Sequence, residues 1–135
     1  MSYSVIPETP SVADYMRLRL AGGLTPFAEE AAQKGLGGAY YGVTLIHGDK
    51  AVGMGRIIGD GGCFFQIVDI VVEPAHQGKG LGKKIMGALM DHLKEHAPKS
   101  AYVSLMADVP ADKLYTQFGF KPTAPRSIGM AQVLR

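Results

Sequence analysis

The sequence predicts an α/β (α+β) fold with a mixed sheet, antiparallel in its N-terminal half and carrying a parallel βαβ unit after it. Three apolar segments between residues 39 and 72 are joined by short glycine-containing turns, which is typical of antiparallel strands. A strand, a glycine loop, an amphipathic helix and a further strand then follow, which is typical of parallel strands joined by a crossover helix. The length of 135 residues predicts one domain over residues 1–135.

The elements of the first half are marked by their boundary residues. A short strand over Tyr3–Ile6 is stopped by Pro7. Ser11 is expected to cap the next helix, which ends at two glycines, residues 22 and 23. A second short helix is predicted after Pro26, over Phe27–Lys34. The antiparallel strands are predicted over Ala39–His47, Ala51–Ile58 and Cys63–Val72.

The second half contains the clearest helical periodicity. A helix is predicted from about Gly80 to His96 because apolar residues repeat at a spacing of four, at Leu81, Ile85, Leu89 and Leu93. The other predictions are a strand over Ala101–Met106, a helix over Ala111–Phe118, and one or two final strands within Phe120–Leu134, broken by Pro122 and Pro125.

Composition excludes several classes of function. The 14 Lys and Arg residues against 12 Asp and Glu leave a net charge of +2, which is too weak to argue for a nucleic-acid partner. No apolar stretch approaches the roughly 20 residues of a membrane span, so no membrane partner is expected. The single cysteine, Cys63, makes a cytoplasmic location the expectation. His47, His92 and His96 show no ligand spacing with a cysteine or carboxylate cluster, and although His92 and His96 are four apart they lie on a lysine-rich face, so no metal is expected.

The glycine loop between the predicted strand and helix indicates a phosphate-bearing ligand. Gly78, Gly80 and Gly82 would expose backbone amides at a helix N-terminus, which favours an anion. Lys79, Lys83 and Lys84 share this turn, where each cation costs roughly 0.3–1 kcal/mol unless an anion compensates. The loop fits neither a P-loop nor a dinucleotide fingerprint. The alternative is a glycine-rich turn with solvated lysines.

Two motifs connect the chain to a known family. The segment Val71-Val72-Glu73-Pro74-Ala75-His76-Gln77-Gly78-Lys79-Gly80-Leu81-Gly82 resembles the coenzyme A loop of the GNAT N-acetyltransferases. Leu114-Tyr115-Thr116-Gln117-Phe118-Gly119-Phe120 resembles the second hallmark of that family, an aromatic helical turn followed by Gly-Phe. Within the family, the pattern is most similar to small bacterial and plant arylalkylamine (serotonin-type) acetyltransferases, on Asp60-Gly61-Gly62, Val68-Asp69-Ile70 and Gly129-Met130.

The resemblance implies a binding mode for acetyl-coenzyme A as cosubstrate. The sheet would split at the strand holding Ile70 and Val72, whose backbone groups would bind the pantetheine arm. The pyrophosphate would lie on the glycine loop, at Gln77, Gly78, Lys79, Gly80, Gly82 and Lys83. Asp108 stands where many relatives have Asn, which puts that contact to the cosubstrate in doubt.

Asp69 and Tyr115 are the candidate catalytic residues. Asp69 lies in the most apolar strand, where an unpaired buried carboxylate is costly. It is expected to be either a general base or amine anchor, or a structural carboxylate that pairs with Arg56. The resemblance places the Tyr115 hydroxyl near the cosubstrate sulfur as a general acid, the alternative being a core tyrosine. Further candidates for an acceptor pocket, as opposed to solvated or packed side chains, are Arg17, Arg19, Tyr40 and Tyr41.

The predicted activity is acetyl transfer from acetyl-coenzyme A to the primary amine of a small molecule, by direct attack in a ternary complex. Two alternatives remain at this point: acetylation of protein or peptide amino groups, and a non-catalytic acyl-coenzyme A-binding module. A homodimer is a possible assembly.

Overall fold

The computed structural model describes residues 2–134 and has the predicted order of elements up to residue 116. Within the described residues, the elements are β1 (Tyr3–Ile6), α1 (Val12–Ala21), α2 (Glu29–Gly37), β2 (Tyr41–His47), β3 (Lys50–Gly59), β4 (Phe64–Val72), a 3-10 turn (Pro74–His76), α3 (Leu81–His96), β5 (Tyr102–Leu105) and α4 (Asp112–Thr116).

The five strands form one mixed sheet in the order β1-β2-β3-β4-β5. The first three neighbouring pairs are antiparallel, and β4 pairs with β5 in parallel through the α3 crossover. Helices α1 and α2 pack on one face of the sheet and α3 on the other. The predicted fold class is confirmed.

The face of α3 that packs on the sheet is the face that the sequence indicates. Leu81, Ile85, Leu89 and Leu93 are all buried, with Ile85 and Leu89 fully inaccessible. They pack against strand residues such as Ile67 in one apolar cluster. Burial of such side chains contributes about 1.5–3 kcal/mol each, and it fixes the N-terminus of α3 beside the end of β4.

A bulge interrupts the pairing of β3 with β4. Met54 faces Val71 and Arg56 faces Val68, so that Gly55 on β3 lies opposite two residues, Asp69 and Ile70, on β4. Asp69 has a φ of 63°, a left-handed conformation that aspartate adopts more readily than most residues. A bulge changes the direction in which a side chain points. Asp69 is therefore directed differently from its strand neighbours.

The sheet splits beyond the bulge. Strand β5 pairs only with the first part of β4, from Phe64 to Ile67. The remainder of β4 pairs with β3 on one side, and no strand within residues 2–134 pairs with it on the other. The two parallel strands therefore diverge at the carboxyl end of β5.

Two predictions differ from the structure: the bounds of the second helix and the presence of final strands. Helix α2 begins at Glu29 rather than Phe27 and continues through Gly35 to Gly37. The Gly35 carbonyl accepts a hydrogen bond from Arg56 Nη1 at 3.1 Å, so a distant residue supports the last turn. No strand follows β5 as far as Leu134, the last described residue: residues 120–134 contain one turn and otherwise no regular structure, and Pro122 and Pro125 lack the N–H that strand pairing needs.

Substituting Gly55 by Val is expected to destabilise the protein by about 1–3 kcal/mol, because it overpacks the core. A Cβ at this position would lie 2.7 Å from Ile70 Cδ1 and from Ile85 Cγ2. The matched control is Gly87→Ala in α3, where a Cβ meets nothing within 4 Å and should stabilise the helix by about 0.5–1 kcal/mol. Urea unfolding measures both changes, and equal stabilities would contradict the close packing at the bulge.

Candidate active site

The glycine loop presents free backbone amides beside the end of β4. Gly78 and Gly80 have φ values of 81° and 75°, in the left-handed region that favours glycine. A Cβ at either position would have no neighbour within 4 Å, so the outer side of the loop is open. Gly80 is the N-cap of α3 and has no side chain to cap the helix, which leaves the first amides of the helix available. This arrangement suits an anion.

Gln77 connects this loop to the open edge of β4. Its side-chain amide donates to the Val72 carbonyl at 2.9 Å. The Glu73 amide donates to Val52 on β3, so by the alternation of an antiparallel pair the backbone groups of Val72 face the split. Gln77 thus fixes the position of the loop relative to the strand through its side chain.

Three lysines lie around the N-terminus of α3, which is the positive end of the helix dipole. Lys79 Nζ lies 3.3 Å from the Tyr3 hydroxyl, and Lys84 Nζ lies 3.3 Å from the Tyr3 carbonyl oxygen. Lys83 is exposed to solvent, and the first turn of α3 has no acidic residue. The helix dipole and these cations leave a site that is electrostatically unsatisfied without an anion.

A cavity of about 520 Å³ lies in the split between β4 and β5. Its walls come from the bulge of β4, the α1–α2 segment, the end of β5 and α4. The residues that matter for its chemistry are Arg19, Phe27, Arg56, Gln66, Asp69, Asp108 and Tyr115. Its volume is within the range of about 300–1,000 Å³ that is usual for small-molecule pockets.

Asp69 lies on the wall of this cavity and is fully engaged by its neighbours. Arg19 Nη1 donates to Oδ1 and Arg56 Nε donates to Oδ2, each at 2.5 Å. The Tyr15 hydroxyl lies 3.1 Å from Oδ1 and 3.0 Å from Oδ2. The Asp69 side chain is 4% exposed, so these three groups replace its hydration.

The positive charge around Asp69 therefore exceeds the negative charge of its carboxylate. Two guanidinium groups face one carboxylate, and burial, followed by the charge of Asp69, raises the pKa of Tyr15 above 10.0. The ion pair with Arg56 is the contact expected of a structural carboxylate. The catalytic role of Asp69 stays a prediction.

Tyr115 lies on α4 and lines the same cavity as Asp69. Burial first, and then the charge of Asp108, raises the pKa of the Tyr115 hydroxyl above 10.0. The phenol is therefore neutral and protonated near pH 7, the state that a proton donor requires. Its role as a general acid stays a prediction.

Of the four residues expected to shape an acceptor pocket, one lines the cavity and three do not. Arg19 lines the cavity, whereas Arg17 binds Asp14, Glu73 and the Ala51 carbonyl outside it. The two remaining candidates pack elsewhere: Tyr40 against Phe65, and Tyr41 in a stack on His92.

Sequence reasoning missed three residues of the site, Tyr15, Phe27 and Gln66. Tyr15 has the spacing of a core residue, and Phe27 was expected inside a helix. Its ring instead covers the Arg19 guanidinium, with Cζ 4.4 Å from the ring centroid. Nothing in the local sequence links these residues to Asp69.

The comparison with known proteins decides the family. The family described as acetyltransferase (GNAT) domain matches residues 20–129, which include the loop, the bulge and Tyr115. The chain belongs to the GNAT acetyltransferase family. A solved structure of a Staphylococcus aureus protein of unknown function, described as a probable acetyltransferase, is 48% identical to it. That similarity covers 98% of this chain and 100% of the other, with a TM-score of 0.94.

More distant similarities support the fold of this GNAT domain. A GNAT family protein from Streptococcus pneumoniae has a TM-score of 0.78 over 99% of both chains at 22% identity, which shows the fold alone. The spermine/spermidine N(1)-acetyltransferase of Bacillus subtilis is 42% identical over 52 residues. This match covers 37% of the chain and spans about a third, 34%, of that relative. Closeness to the arylalkylamine acetyltransferases stays a prediction.

GNAT acetyltransferases use acetyl-coenzyme A as cosubstrate, and the described residues fit it. The free edge of β4 runs from the cavity to the open glycine loop. Free backbone amides and lysine side chains there are available to bind a phosphate group. Among residues 2–134, no cluster of three or more His, Cys, Asp or Glu side chains is arranged to hold a metal ion. Within the same residues, no helix combines the length and apolar character needed to span a membrane.

Substituting Gly80 by Leu is expected to abolish acetyl-coenzyme A binding, because a side chain at this position would occupy the space above the loop amides. The matched control is Gly48→Leu in the β2–β3 turn, which has a similar φ of 67° and equally open surroundings. Both variants carry the same left-handed strain, on the order of 1–2 kcal/mol. Titration calorimetry measures the affinity. Normal binding by Gly80→Leu would show that the loop does not hold the cosubstrate.

Proposed function

We propose that this protein transfers the acetyl group of acetyl-coenzyme A to the primary amine of a small molecule, by direct attack in a ternary complex. One observation carries the proposal: a cavity of small-molecule size opens in the split of the sheet, between the free edge of β4 and Tyr115. Cys63 is exposed and does not line that cavity, which argues against an acyl-cysteine intermediate.

The residues of the split have separate tasks in this proposal. Backbone groups of Ile70 and Val72 bind the pantetheine arm as an added strand would, and the amides from Gly78 to Gly82 hold the pyrophosphate. Lys79 and Lys83 supply positive charge around the phosphates. Acetyl-coenzyme A, when bound, supplies an acetyl thioester at the cavity. Tyr115 protonates the departing sulfur.

The acceptor amine is expected to approach the Asp108 side of the cavity. Asp69 is compensated by two arginines and a tyrosine, so it offers little attraction to an additional cation. Asp108 forms no ion pair with any residue between 2 and 134, and it lies close enough to Tyr115 to raise its pKa. An ammonium group held there would deliver its proton to water before attack, because an amine of pKa about 10.4 is mostly protonated near pH 7.

The proposed acceptor class includes polyamines and arylalkylamines. The polyamines are suggested by the short match to the Bacillus subtilis spermine/spermidine acetyltransferase, and the arylalkylamines by the sequence pattern. A protein amino group is the second candidate, although a cavity of about 520 Å³ suits a small acceptor better. A binding module without turnover is the third.

The test is coenzyme A release, measured by thiol titration with acetyl-coenzyme A and a panel of polyamines, arylalkylamines, amino sugars and peptides. Release with at least one small amine, above the rate without acceptor, is expected. Release with peptides alone would move the acceptor class to proteins. Tight acetyl-coenzyme A binding without release for any acceptor would favour the binding module.

A further inference from the structure

The cavity in the split contains charges of both signs. Arg19 and Arg56 face the single carboxylate of Asp69, so two positive charges and one negative leave this group of three side chains with a net positive charge. Asp108 is the other charged residue of the lining, and it forms no ion pair within residues 2–134. The lining is therefore neutral as a whole, but its charge is divided between two centres.

The two charge centres belong to opposite sides of the split. Arg56 and Asp69 lie on the paired strands β3 and β4, and Arg19 reaches Asp69 from α1. Asp108 follows β5 and precedes α4, the helix that carries Tyr115. Strands β4 and β5 diverge at the cavity, so these two sides form its separate walls. A molecule that fills the cavity thus meets positive charge on one wall and negative charge on the other.

Arg19 is held in one orientation on the positive wall. Its Nε and Nη2 both donate to the Thr25 carbonyl, at 2.8 and 2.5 Å, and its Nη1 donates to Asp69. The guanidinium lies over the ring of Phe27, with Cζ 4.4 Å from the ring centroid. Guanidinium donors lie in the plane of the group, so a ring that covers its face leaves the remaining donors usable. The side chain is therefore pre-organised to bind an oxyanion.

The two arginines have more hydrogen-bond donors than the protein uses. A guanidinium has five N–H donors. Hydrogen bonds within residues 2–134 use three on Arg19 and two on Arg56, the latter to Asp69 and the Gly35 carbonyl. Both side chains are largely buried, where donors that meet no acceptor are costly. A carboxylate or a phosphate supplies acceptors together with the opposite charge.

We infer that the acceptor is a small amine that also carries an anionic group, a carboxylate or a phosphate. Its amine lies on the wall of Asp108 and Tyr115, and its anion binds Arg19 and Arg56 on the facing wall. This assignment rests on the proposed function and narrows its acceptor class. An arylalkylamine that bears a carboxylate fits the two walls, whereas the second ammonium group of a polyamine would face the arginines.

The first experiment compares matched acceptors by coenzyme A release from the unmodified protein. 4-Aminobutanoate, butane-1,4-diamine and butylamine have the same number of carbons and differ in the far end of the chain, which is anionic, cationic or apolar. The same trio is prepared with about two to six carbons, because the chain must span the two walls. At the length with the fastest release, kcat/KM for the amino acid should exceed that of each other compound by about tenfold or more. A diamine or monoamine that equals the amino acid there would overturn the inference.

Two further comparisons extend the test to aromatic and phosphorylated acceptors. Phenylalanine should be acetylated faster than phenethylamine, which lacks the carboxylate. 3-Phenylpropionate, which lacks the amine, should inhibit competitively with respect to the acceptor, and a lack of such inhibition would contradict an anion site in the cavity. 2-Aminoethyl phosphate against 3-aminopropanoate then shows which of the two anions the arginines prefer.

Arg19→Lys tests the residue that selects the anion. Lysine keeps the charge but loses the planar set of donors, so the preference for the amino acid over the monoamine should fall to within about threefold, through KM rather than kcat. The control is Arg17→Lys on the same helix, because Arg17 binds Asp14 and Glu73 outside the cavity. A ratio of two substrates on one protein is independent of its folded fraction, so a merely structural role of Arg19 would not move it. An unchanged ratio in Arg19→Lys would overturn the assignment of this residue.

Binding separates this inference from the proposed function. Calorimetry with coenzyme A present compares 4-aminobutanoate with butane-1,4-diamine and needs no turnover. Binding of the amino acid that is tighter by about tenfold supports the charge selection even if no acceptor releases coenzyme A, and in that case only the proposed function fails. Release of coenzyme A with polyamines but not with amino acids would keep the proposed function and overturn the inference.

Discussion

Replacing Tyr115 by Phe is expected to lower kcat by about 100-fold, with acetyl-coenzyme A affinity and stability nearly unchanged. General acid catalysis contributes roughly 10²–10⁴-fold, and a thiol of pKa about 8.5 is a good enough leaving group to put the effect at the lower end. The substitution removes only the hydroxyl, and the ring keeps its packing in the cavity wall. Steady-state kinetics with saturating amine measures the change.

Tyr41→Phe is the matched control for this variant. Tyr41 is a partly buried tyrosine that stacks on His92 and does not line the cavity. Its loss of a hydroxyl should leave kcat unchanged. If Tyr115→Phe retained the full kcat as well, Tyr115 would be only a packing residue, and another group would have to protonate the sulfur.

The raised pKa of Tyr115 gives a pH signature for the same role. Burial and the charge of Asp108 raise the pKa of the Tyr115 hydroxyl above 10.0, its ordinary value. A donor is lost when it deprotonates, so this group should not reduce kcat at any pH below about 10. Asp108→Asn removes one cause of the shift and should move the alkaline decline of kcat to lower pH. A pH profile of both proteins measures the difference.

Replacing Asp69 by Asn is expected to lower the free energy of unfolding by about 3 kcal/mol, because it breaks a buried ion pair from one side only. The Arg19 and Arg56 side chains are 11% and 13% exposed, so each would keep a charge with little water around it. The exposed pair of Glu30 with Lys34 provides the control. Glu30→Gln should change stability by less than about 1 kcal/mol in urea unfolding.

The same variant distinguishes the two roles of Asp69. If the carboxylate takes part in proton transfer, Asp69→Asn should reduce turnover far more than acetyl-coenzyme A affinity, measured at a temperature where the variant is fully folded. An unchanged rate together with lower stability would make Asp69 a structural residue. In that case its contribution is to hold the bulge, and with it the split, in position.

Much of the fold follows from the sequence because local rules determine it. The spacing of four in α3, the glycine turns between β2, β3 and β4, and the Ser11 cap each depend on residues a few positions apart. The glycine loop is local as well, since its conformation and charge are set by Gly78, Gly80 and adjacent lysines. These features predicted the mixed sheet without any knowledge of distant contacts, and the family was indicated by the resemblance of two short motifs, Val71–Gly82 and Leu114–Phe120, to those of GNAT proteins.

The surroundings of Asp69 were decided by the tertiary structure. Arg56, on the neighbouring strand β3, was an expected partner, whereas Tyr15 and Arg19 are 54 and 50 residues away in sequence and reach Asp69 only through the packing of α1 across the sheet. Sequence spacing carries no signal for the contacts of Asp69 with Tyr15 and Arg19. It therefore left the alternatives for Asp69 open.

The C-terminal region shows the same division between local and distant causes. The final strands predicted within Phe120–Leu134 are absent as far as Leu134, because strand propensity yields a strand only where the backbone pairs with a free edge. Pro122 and Pro125 lack the backbone N–H that strand pairing needs, and the Thr123–Ser127 turn interrupts the segment. The sequence by itself thus determined the helices, the loop and the strand propensities. The tertiary structure decided which charges meet and which edges stay open, because both depend on where distant segments pack.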